Sequence, residues 1–170
     1  MRRSLAFFVS LCLCGLIFPS QQLYAENWPQ WRGPVHNGTS RQTAVPVSWS
    51  ESAGVVWKCP LEPWGTSTPA IWGDLLFLVN ENGIAQCLDS KTGKVHWEQR
   101  LKGDYRASPL AAEGRVYFLS MKGLATVVAA SPRFEKLAEN QLDDATIASL
   151  VVSDGRIFIR GHKTLFCLGK

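Results

Sequence analysis

Apolar and polar residues alternate in short runs along most of the chain, and polar gaps that contain glycine separate the runs. One such gap, "KTG" at residues 91–93, joins the run at residues 84–90 to the run at residues 94–101. Glycine adopts the positive φ of a tight turn without steric cost, and a period of two is typical of strands. The pattern therefore predicts an antiparallel hairpin here, with Trp97 on its second strand.

This hairpin pattern repeats along the chain. The stretches "TSTPAIWGDLLFLV", "RASPLAAEGRVYFLS" and "IASLVVSDGRIFIRG" align at steps of 41 residues on two markers, Ser67, Ser108 and Ser149, and Gly73, Gly114 and Gly155. Each unit divides into four short strands; "RFEKLAENQL" has some helical character, but its place in the repeat predicts a strand. The sequence therefore predicts an all-β fold, a β-propeller-like array of about three four-stranded antiparallel blades that form an incomplete propeller.

The first unit contains a motif of a known family. Its "LDSKTGKVHW" at residues 88–97 matches the Leu-Asp-x-x-Thr-Gly-Lys-x-x-Trp core of the pyrroloquinoline quinone (PQQ) repeat. The chain thus resembles the PQQ-like β-propeller family, and its opening "NWPQWRGPVHNGTS" resembles the start of secreted bacterial members. The resemblance implies that a tryptophan of one blade docks on the glycine-containing turn of a neighbour. The implied structural docking residues are Trp57, Trp97, Thr92, Gly93 and Asp89.

The later units depart from this motif. "SPR" at residues 131–133 replaces Thr-Gly-Lys, Phe134 or Ala138 replaces the tryptophan, and the third unit lacks a fourth strand. The stretch "VVWKCPL" at residues 55–61 matches a fourth strand without the first three. We therefore expect blade units at 65–101, 107–142 and 148–170, the last completed by 55–61. Propellers usually have about four to eight blades, so we expect either a shortened relative left as an open arc or a homo-oligomeric ring that two chains form by exchange of this strand. Exposed apolar blade faces predict self-association of the free monomer.

The N-terminus has the layout of a secretory signal peptide. Residues 1–25 contain Arg2 and Arg3, an uncharged apolar run and a terminal Ala25. The run is shorter than the ~20 residues of a membrane-spanning helix. The sequence predicts a bacterial periplasmic or secreted protein with no stable membrane span after cleavage, a Trp-rich segment at 26–54 and PQQ-like repeats at 55–170. The net charge of +4 falls once the leader is removed, and indicates neither nucleic acid nor an anionic membrane as partner.

The sequence offers no candidate catalytic, cofactor-binding or metal-binding residue. Quinoprotein dehydrogenases of the family it resembles hold PQQ and calcium through acidic and amide ligands, often beside two adjacent cysteines. Adjacent cysteines are absent here, and "NENG" at residues 80–83 fits a hairpin tip better than a site for calcium, which takes about six to eight oxygens. PQQ and calcium are thus not supported. The acidic pair at 143–144 is interpreted as a solvated turn, and three histidines have no nucleophile partner in a motif, His36, His96 and His162.

Three cysteines and several tryptophans complete the candidates. Cys59, Cys87 and Cys167 lie in apolar strand-like runs, where a small buried hydrophobic side chain is the expected role; their odd number leaves at least one unpaired within the chain. Four tryptophans near the N-terminus keep carbohydrate binding open, Trp28, Trp31, Trp49 and Trp64.

Two functional classes compete. The first is an exported, non-catalytic binding or scaffold module for a protein, peptide or polysaccharide. The second is a PQQ-dependent quinoprotein dehydrogenase, or a fragment of one. The missing cofactor residues favour the first class, because a fold shared with enzymes does not by itself carry their chemistry.

Overall fold

The computed structural model describes residues 26–61 and 64–169, and the predicted signal peptide lies outside them. Within this part of the chain, three antiparallel sheets follow one another without an intervening helix. The first two sheets have four strands and the third has three, each paired in the order of the chain or its reverse. The strands are β1 (Ala70–Trp72), β2 (Leu75–Val79), β3 (Ile84–Asp89), β4 (Val95–Arg100), β5 (Leu110–Ala112), β6 (Arg115–Leu119), β7 (Leu124–Ala129), β8 (Lys136–Gln141), β9 (Val151–Ser153), β10 (Arg156–Arg160) and β11 (Leu165–Leu168). The prediction of an all-β, incomplete propeller is confirmed.

Apolar side chains pack between successive sheets. One cluster joins the first and second sheets and includes Phe77, Val79 and Phe118. A second cluster joins the second and third sheets and includes Leu119 and Ile159. Because removal of apolar surface from water stabilises a fold by about 25 cal/mol per Å², these two layers hold the sheets face to face.

Main-chain hydrogen bonds between the loops link the sheets in a repeated pattern. Tyr105 N donates to Glu81 O at 2.9 Å, and Thr146 N donates to Met121 O at 3.0 Å. A second pair of bonds returns from the hairpin tips, Met121 N to Asp104 O and His162 N to Ala145 O, both at 2.7 Å. The two junctions between sheets therefore share one backbone geometry.

The structural register of the first unit differs by one residue from the sequence alignment. Thr68, rather than the serine before it, occupies the position of Ser108, because β1 to β3 precede β5 to β7 by 40 residues and not 41. The physical reason is the turn after the first strand. Gly73 is its first residue, with φ of 61°, whereas the second unit has Glu113 there, with φ of 50°, and Gly114 next. Alignment on the glycines therefore shifted the first unit.

The segment expected to complete the third sheet lies beside the first sheet instead. Residues 55–61 form no strand, and in the described part of the chain β11 pairs with β10 alone. Trp57 instead holds this segment on the first sheet, where its Nε1 donates to Ser90 O at 3.1 Å. Pairing of 55–61 with β11 of a second copy stays a prediction.

The segment before the repeats crosses the first strands of two sheets. Trp28 and Ile71 exchange two main-chain hydrogen bonds of 3.1 and 2.8 Å, and Ala111 N donates to Pro29 O at 2.7 Å. The N-terminal segment thus ties β1 to β5.

Candidate functional site

The turn between β3 and β4 is organised by one carboxylate. Asp89 Oδ1 accepts hydrogen bonds from the hydroxyl and the amide of Thr92, both at 2.8 Å, and from Lys91 N at 3.1 Å. The Thr92 hydroxyl, followed by the Thr92 amide, lowers the pKa of Asp89 below its ordinary value, because both bonds favour the charged carboxylate. The "TGK" motif therefore builds a rigid turn.

Trp57 packs on this turn at Gly93. A Cβ added to Gly93 would overlap the Trp57 indole, and the residue has φ of 70°. Glycine is required here twice, for the left-handed backbone and for the close approach of the ring. The structure thus brings together four of the five docking residues proposed from the sequence, Trp57, Asp89, Thr92 and Gly93.

Trp97 makes the corresponding contact with the second sheet. Its Nε1 donates to Ser131 O at 3.0 Å, and the side chain is 8% exposed. Its ring lies 5.2 Å from the ring of Phe134 in an edge-on arrangement and 6.1 Å from that of Phe77. Because the Trp97 indole bonds a main-chain oxygen, this contact does not depend on the Thr-Gly-Lys side chains, which Ser-Pro-Arg replaces here.

An open cleft of about 520 Å³ lies where the loops of the second and third sheets meet. Met121 and Ile147 contribute apolar surface to it, and Ile147 is 64% exposed. Arg160 and His162, at the end of β10 and the following hairpin tip, add a guanidinium and an imidazole. Sequence reasoning missed this cleft.

The matching place at the first junction carries an ion pair. Tyr105 and Thr146 donate the equivalent main-chain bonds, so Arg106 corresponds to Ile147 and Glu81 to Met121. Arg106 Nε lies 3.9 Å from Glu81 Oε1. The second junction therefore carries an apolar pair where the first carries an ion pair. Tyr105 and Thr146 are both buried, but the larger Tyr105 donates its hydroxyl to Lys102 O at 3.0 Å, whereas Thr146 donates its hydroxyl to Arg160 O at 2.7 Å.

Asp144 holds the hairpin tip that carries His162. Asp144 Oδ2 accepts hydrogen bonds from Lys163 N and Thr164 N, both at 2.8 Å. The Lys163 amide is the main cause that lowers the pKa of Asp144 below its ordinary value. A side chain on Gly161 would overlap this carboxylate. The acidic pair interpreted as a solvated turn thus contains a residue that caps one wall of the cleft.

The remaining candidates do not assemble into a metal site within the described residues. In residues 26–61 and 64–169, no three His, Cys, Asp or Glu side chains are grouped so that they could hold a metal ion. Burial raises the pKa of the Cys87 thiol to about 12, as suits a buried hydrophobic side chain, whereas Cys167 is exposed.

The four tryptophans near the N-terminus differ in exposure. Trp28 is half-buried against β1, and the Trp31 ring lies 5.4 Å from the Arg32 guanidinium carbon. Trp31, Trp49 and Trp64 are exposed.

Within the described ranges, no helix has the length and apolar character needed to cross a bilayer.

Comparison with known proteins finds one matching family model and solved structures with a similar fold. A family model described as "outer membrane protein assembly factor BamB" matches residues 47–134, just over half of the chain. No curated protein matches the chain. The crystal structure of BamB from Moraxella catarrhalis is similar, with a TM-score of 0.57 and 19% identity over 67% of this chain and 36% of that chain. A quinohemoprotein alcohol dehydrogenase, ADHIIG from Pseudomonas putida HK5, is similar with a TM-score of 0.53 and 15% identity over 62% of this chain and 18% of that chain.

These two likenesses concern the fold, because both identities are low. The chain spans about a third of the length of the Moraxella protein and under a fifth of that of the dehydrogenase. The family match over residues 47–134 covers the first unit, its docking turn and most of the second unit. The chain therefore belongs to the PQQ-like β-propeller repeat family, through a family model described as outer membrane protein assembly factor BamB.

Proposed function

We propose that the chain is an exported, non-catalytic binding module that holds an extended segment of a partner protein in the cleft between its second and third sheets. The observation that carries this proposal is the apolar pair Met121 and Ile147 at the place where the first junction has an ion pair. The family description, an outer membrane protein assembly factor, supports a protein as the partner.

The shape and chemistry of the cleft suit a peptide side chain. Its volume of about 520 Å³ falls within the roughly 300–1,000 Å³ of ligand sites. Ile147 would transfer apolar surface from water to the ligand, and Arg160 would pair with a carboxylate. The preferred ligand is therefore an apolar residue beside Asp or Glu in an extended peptide.

A displayed library of random peptides tests this preference. We expect selection on the wild-type protein to enrich peptides with an apolar residue next to Asp or Glu. Ile147→Glu should weaken the binding of a selected peptide by about tenfold or more, as expected for loss of a contact at the centre of an interface. Leu137→Glu is the matched control, because Leu137 is 46% exposed on β8, away from the cleft. Equal loss in both variants, or no enrichment, would contradict the proposal.

A quinoprotein fragment is the competing function, and it predicts a different result. The protein would then bind added PQQ and calcium, with a shift of cofactor absorbance and reduction of an electron-accepting dye. We expect neither signal. A clear signal would overturn the non-catalytic proposal.

Export is tested separately by mass spectrometry of protein from the cell envelope or medium. Removal of the leader after Ala25 predicts Glu26 as the first residue. Exported protein that retains Met1 would contradict this part of the proposal.

A further inference from the structure

We propose that a small pocket in the first sheet binds the acetamido group of an N-acetylated amino sugar, while the indole of Trp64 stacks on the sugar ring. The pocket, called here the acetamido pocket, has a volume of about 100 Å³ and lies between the loop before β1 and the strands β2 and β3. The residues that line it include Leu61, Pro69, Leu78, Asn80, Ile84 and Gln86. It shares no residue with the cleft between the second and third sheets, so the proposal does not rest on peptide binding there.

The acetamido pocket holds a side-chain donor that has no partner in the described residues. Asn80 is 6% exposed, and its Oδ1 accepts a hydrogen bond from Ile84 N at 2.8 Å. Because only the oxygen of an amide accepts from a main-chain N–H, this bond fixes the orientation of the Asn80 amide. Its Nδ2 is buried and finds no acceptor within the described part of the chain. A buried donor of this kind is costly to a fold, and it indicates a ligand that supplies the acceptor.

The equivalent residue of the second sheet shows that the hairpin does not need an amide. Ser120 Oγ accepts from Leu124 N at 3.1 Å, as Asn80 Oδ1 accepts from Ile84 N. The third sheet has Gly161 at the same place after its second strand. A serine therefore suffices to cap the hairpin, and the extra donor of Asn80 is available for a ligand.

The other residues of the acetamido pocket favour a neutral acceptor attached to a small apolar group. The two other polar side chains already have partners, since Gln86 Nε2 donates to Glu98 at 2.7 Å and Ser67 Oγ donates to Val79 O at 2.7 Å. Among the described residues, no charged side chain lines the pocket, so a carboxylate would be buried there without a counter-ion. The remaining walls are largely apolar. An acetamido group fits both features, because its carbonyl oxygen accepts from Nδ2 and its methyl group contacts the apolar walls.

The indole of Trp64 is held beside the acetamido pocket. Glu81 N, in the residue after Asn80, donates to Trp64 O at 2.9 Å. A Cβ added to the next residue, Gly65, would lie 3.8 Å from Asn80 Cα. The Trp64 side chain is 78% exposed. A flat exposed indole next to a buried amide donor suits a pyranose ring that carries an acetamido group.

The exposure of Trp64 follows from its position in the repeat. Asp104 and Ala145 accept the equivalent main-chain bonds in the later units. Both are exposed, although sheets pack together at each of these two places. The position therefore reaches solvent even where a neighbouring sheet is present.

The residue after Trp64 leaves room for a ligand. The equivalent positions in the later units are Tyr105 and Thr146, and both side chains are buried. Gly65 has no side chain, and it lines the acetamido pocket. The first unit is thus open at a place that a side chain occupies in the other two.

Two trisaccharides with the same linkage test the two parts of the site. Tri-N-acetylglucosamine has an acetamido group on each ring, and cellotriose has a hydroxyl group there. We expect the exported protein to bind tri-N-acetylglucosamine about tenfold more tightly or better, because cellotriose leaves Asn80 Nδ2 unpaired. In saturation-transfer NMR, the acetyl methyl protons should receive the strongest saturation. No binding of tri-N-acetylglucosamine, or equal affinity for the two sugars, would overturn the proposal.

Three variants locate the site. Asn80→Ser keeps the hairpin acceptor, as in Ser120, and should remove the preference for tri-N-acetylglucosamine without lowering the melting temperature. Trp64→Ala should weaken binding of tri-N-acetylglucosamine by about tenfold. Trp49→Ala is its matched control, because Trp49 is 69% exposed but lies beside Gly54, and it should leave binding unchanged. An unchanged preference in Asn80→Ser, or equal losses in the two tryptophan variants, would also overturn the proposal.

Discussion

The two junctions between sheets use the same backbone links but different side chains. At the first junction, Trp97 and Tyr105 are buried and Arg106 forms an ion pair with Glu81. At the second, Thr146 replaces Tyr105 and an open cleft of about 520 Å³ remains. The main chain therefore sets the spacing of the sheets. Side chains at each junction differ, with buried aromatic residues at the first and an open cleft at the second.

The largest expected effect is at the first junction. Trp97→Ala removes an indole that contacts Phe77 and Phe134 and bonds Ser131 O. A buried aromatic truncation costs about 3–5 kcal/mol, so the free energy of unfolding should fall steeply in urea titrations. Trp57→Ala is the matched control, because Trp57 is half-buried and its truncation should cost less. Equal stability of wild type and Trp97→Ala would contradict the packing role.

Gly93→Ala should have the next largest effect. The substitution strains a backbone with φ of 70° and pushes a methyl group into the Trp57 indole. Gly114→Ala is the matched control, since Gly114 has φ of 72° but nothing within 4 Å of the added Cβ. The control should lose about 1–2 kcal/mol from the left-handed backbone alone. Thermal unfolding should show a larger loss for Gly93→Ala, and a loss no larger than that of the control would contradict the docking of Trp57.

A third prediction converts the second junction into the first. The double variant Met121→Glu with Ile147→Arg installs the ion pair found as Glu81 and Arg106. Since exposed ion pairs contribute about 0–1 kcal/mol, the free energy of unfolding should change little. Binding of a library-selected peptide should nevertheless be lost, as measured by fluorescence polarisation. Retained binding would remove the cleft from the proposed function.

The smallest expected effect is a pH dependence at the cleft wall. Amide hydrogen bonds lower the pKa of Asp144 in the folded protein. Its contribution to stability is therefore present above the unfolded pKa of about 3.9 and is lost as the pH falls through the lower folded value. Asp144→Asn should flatten this acid limb in urea titrations across that range, while Asp154→Asn serves as a control elsewhere in the chain. Identical acid limbs for wild type and Asp144→Asn would contradict the capping role.

Local patterns explain what the sequence could predict. Strand and turn chemistry is encoded within a few residues, so the hairpins were predictable, including β8 within "RFEKLAENQL". The docking of Trp57 was implied by a motif. The one-residue shift of the first unit was not foreseen, because a glycine can serve at either position of the turn, as Gly73 and Gly114 do.

The cleft depended on residues far apart in the chain. Met121 and Ile147 meet only because the second and third sheets pack together. A signal was present, since "YR" at 105–106 becomes "TI" at 146–147 in the repeat. This change could be interpreted only once the structure showed that Arg106 pairs with Glu81. The expectation from its apolar neighbours that Cys167 is buried was wrong, because in the described residues β11 pairs only with β10 and leaves Cys167 exposed.

The most direct test of the difference between the junctions is a map of amide NMR shifts on addition of a library-selected peptide. The account predicts that the shifts cluster at Thr146, Ile147 and His162, and that Tyr105 and Arg106 do not move. Shifts centred on the first junction, or spread evenly over both, would contradict the assignment of binding to the second.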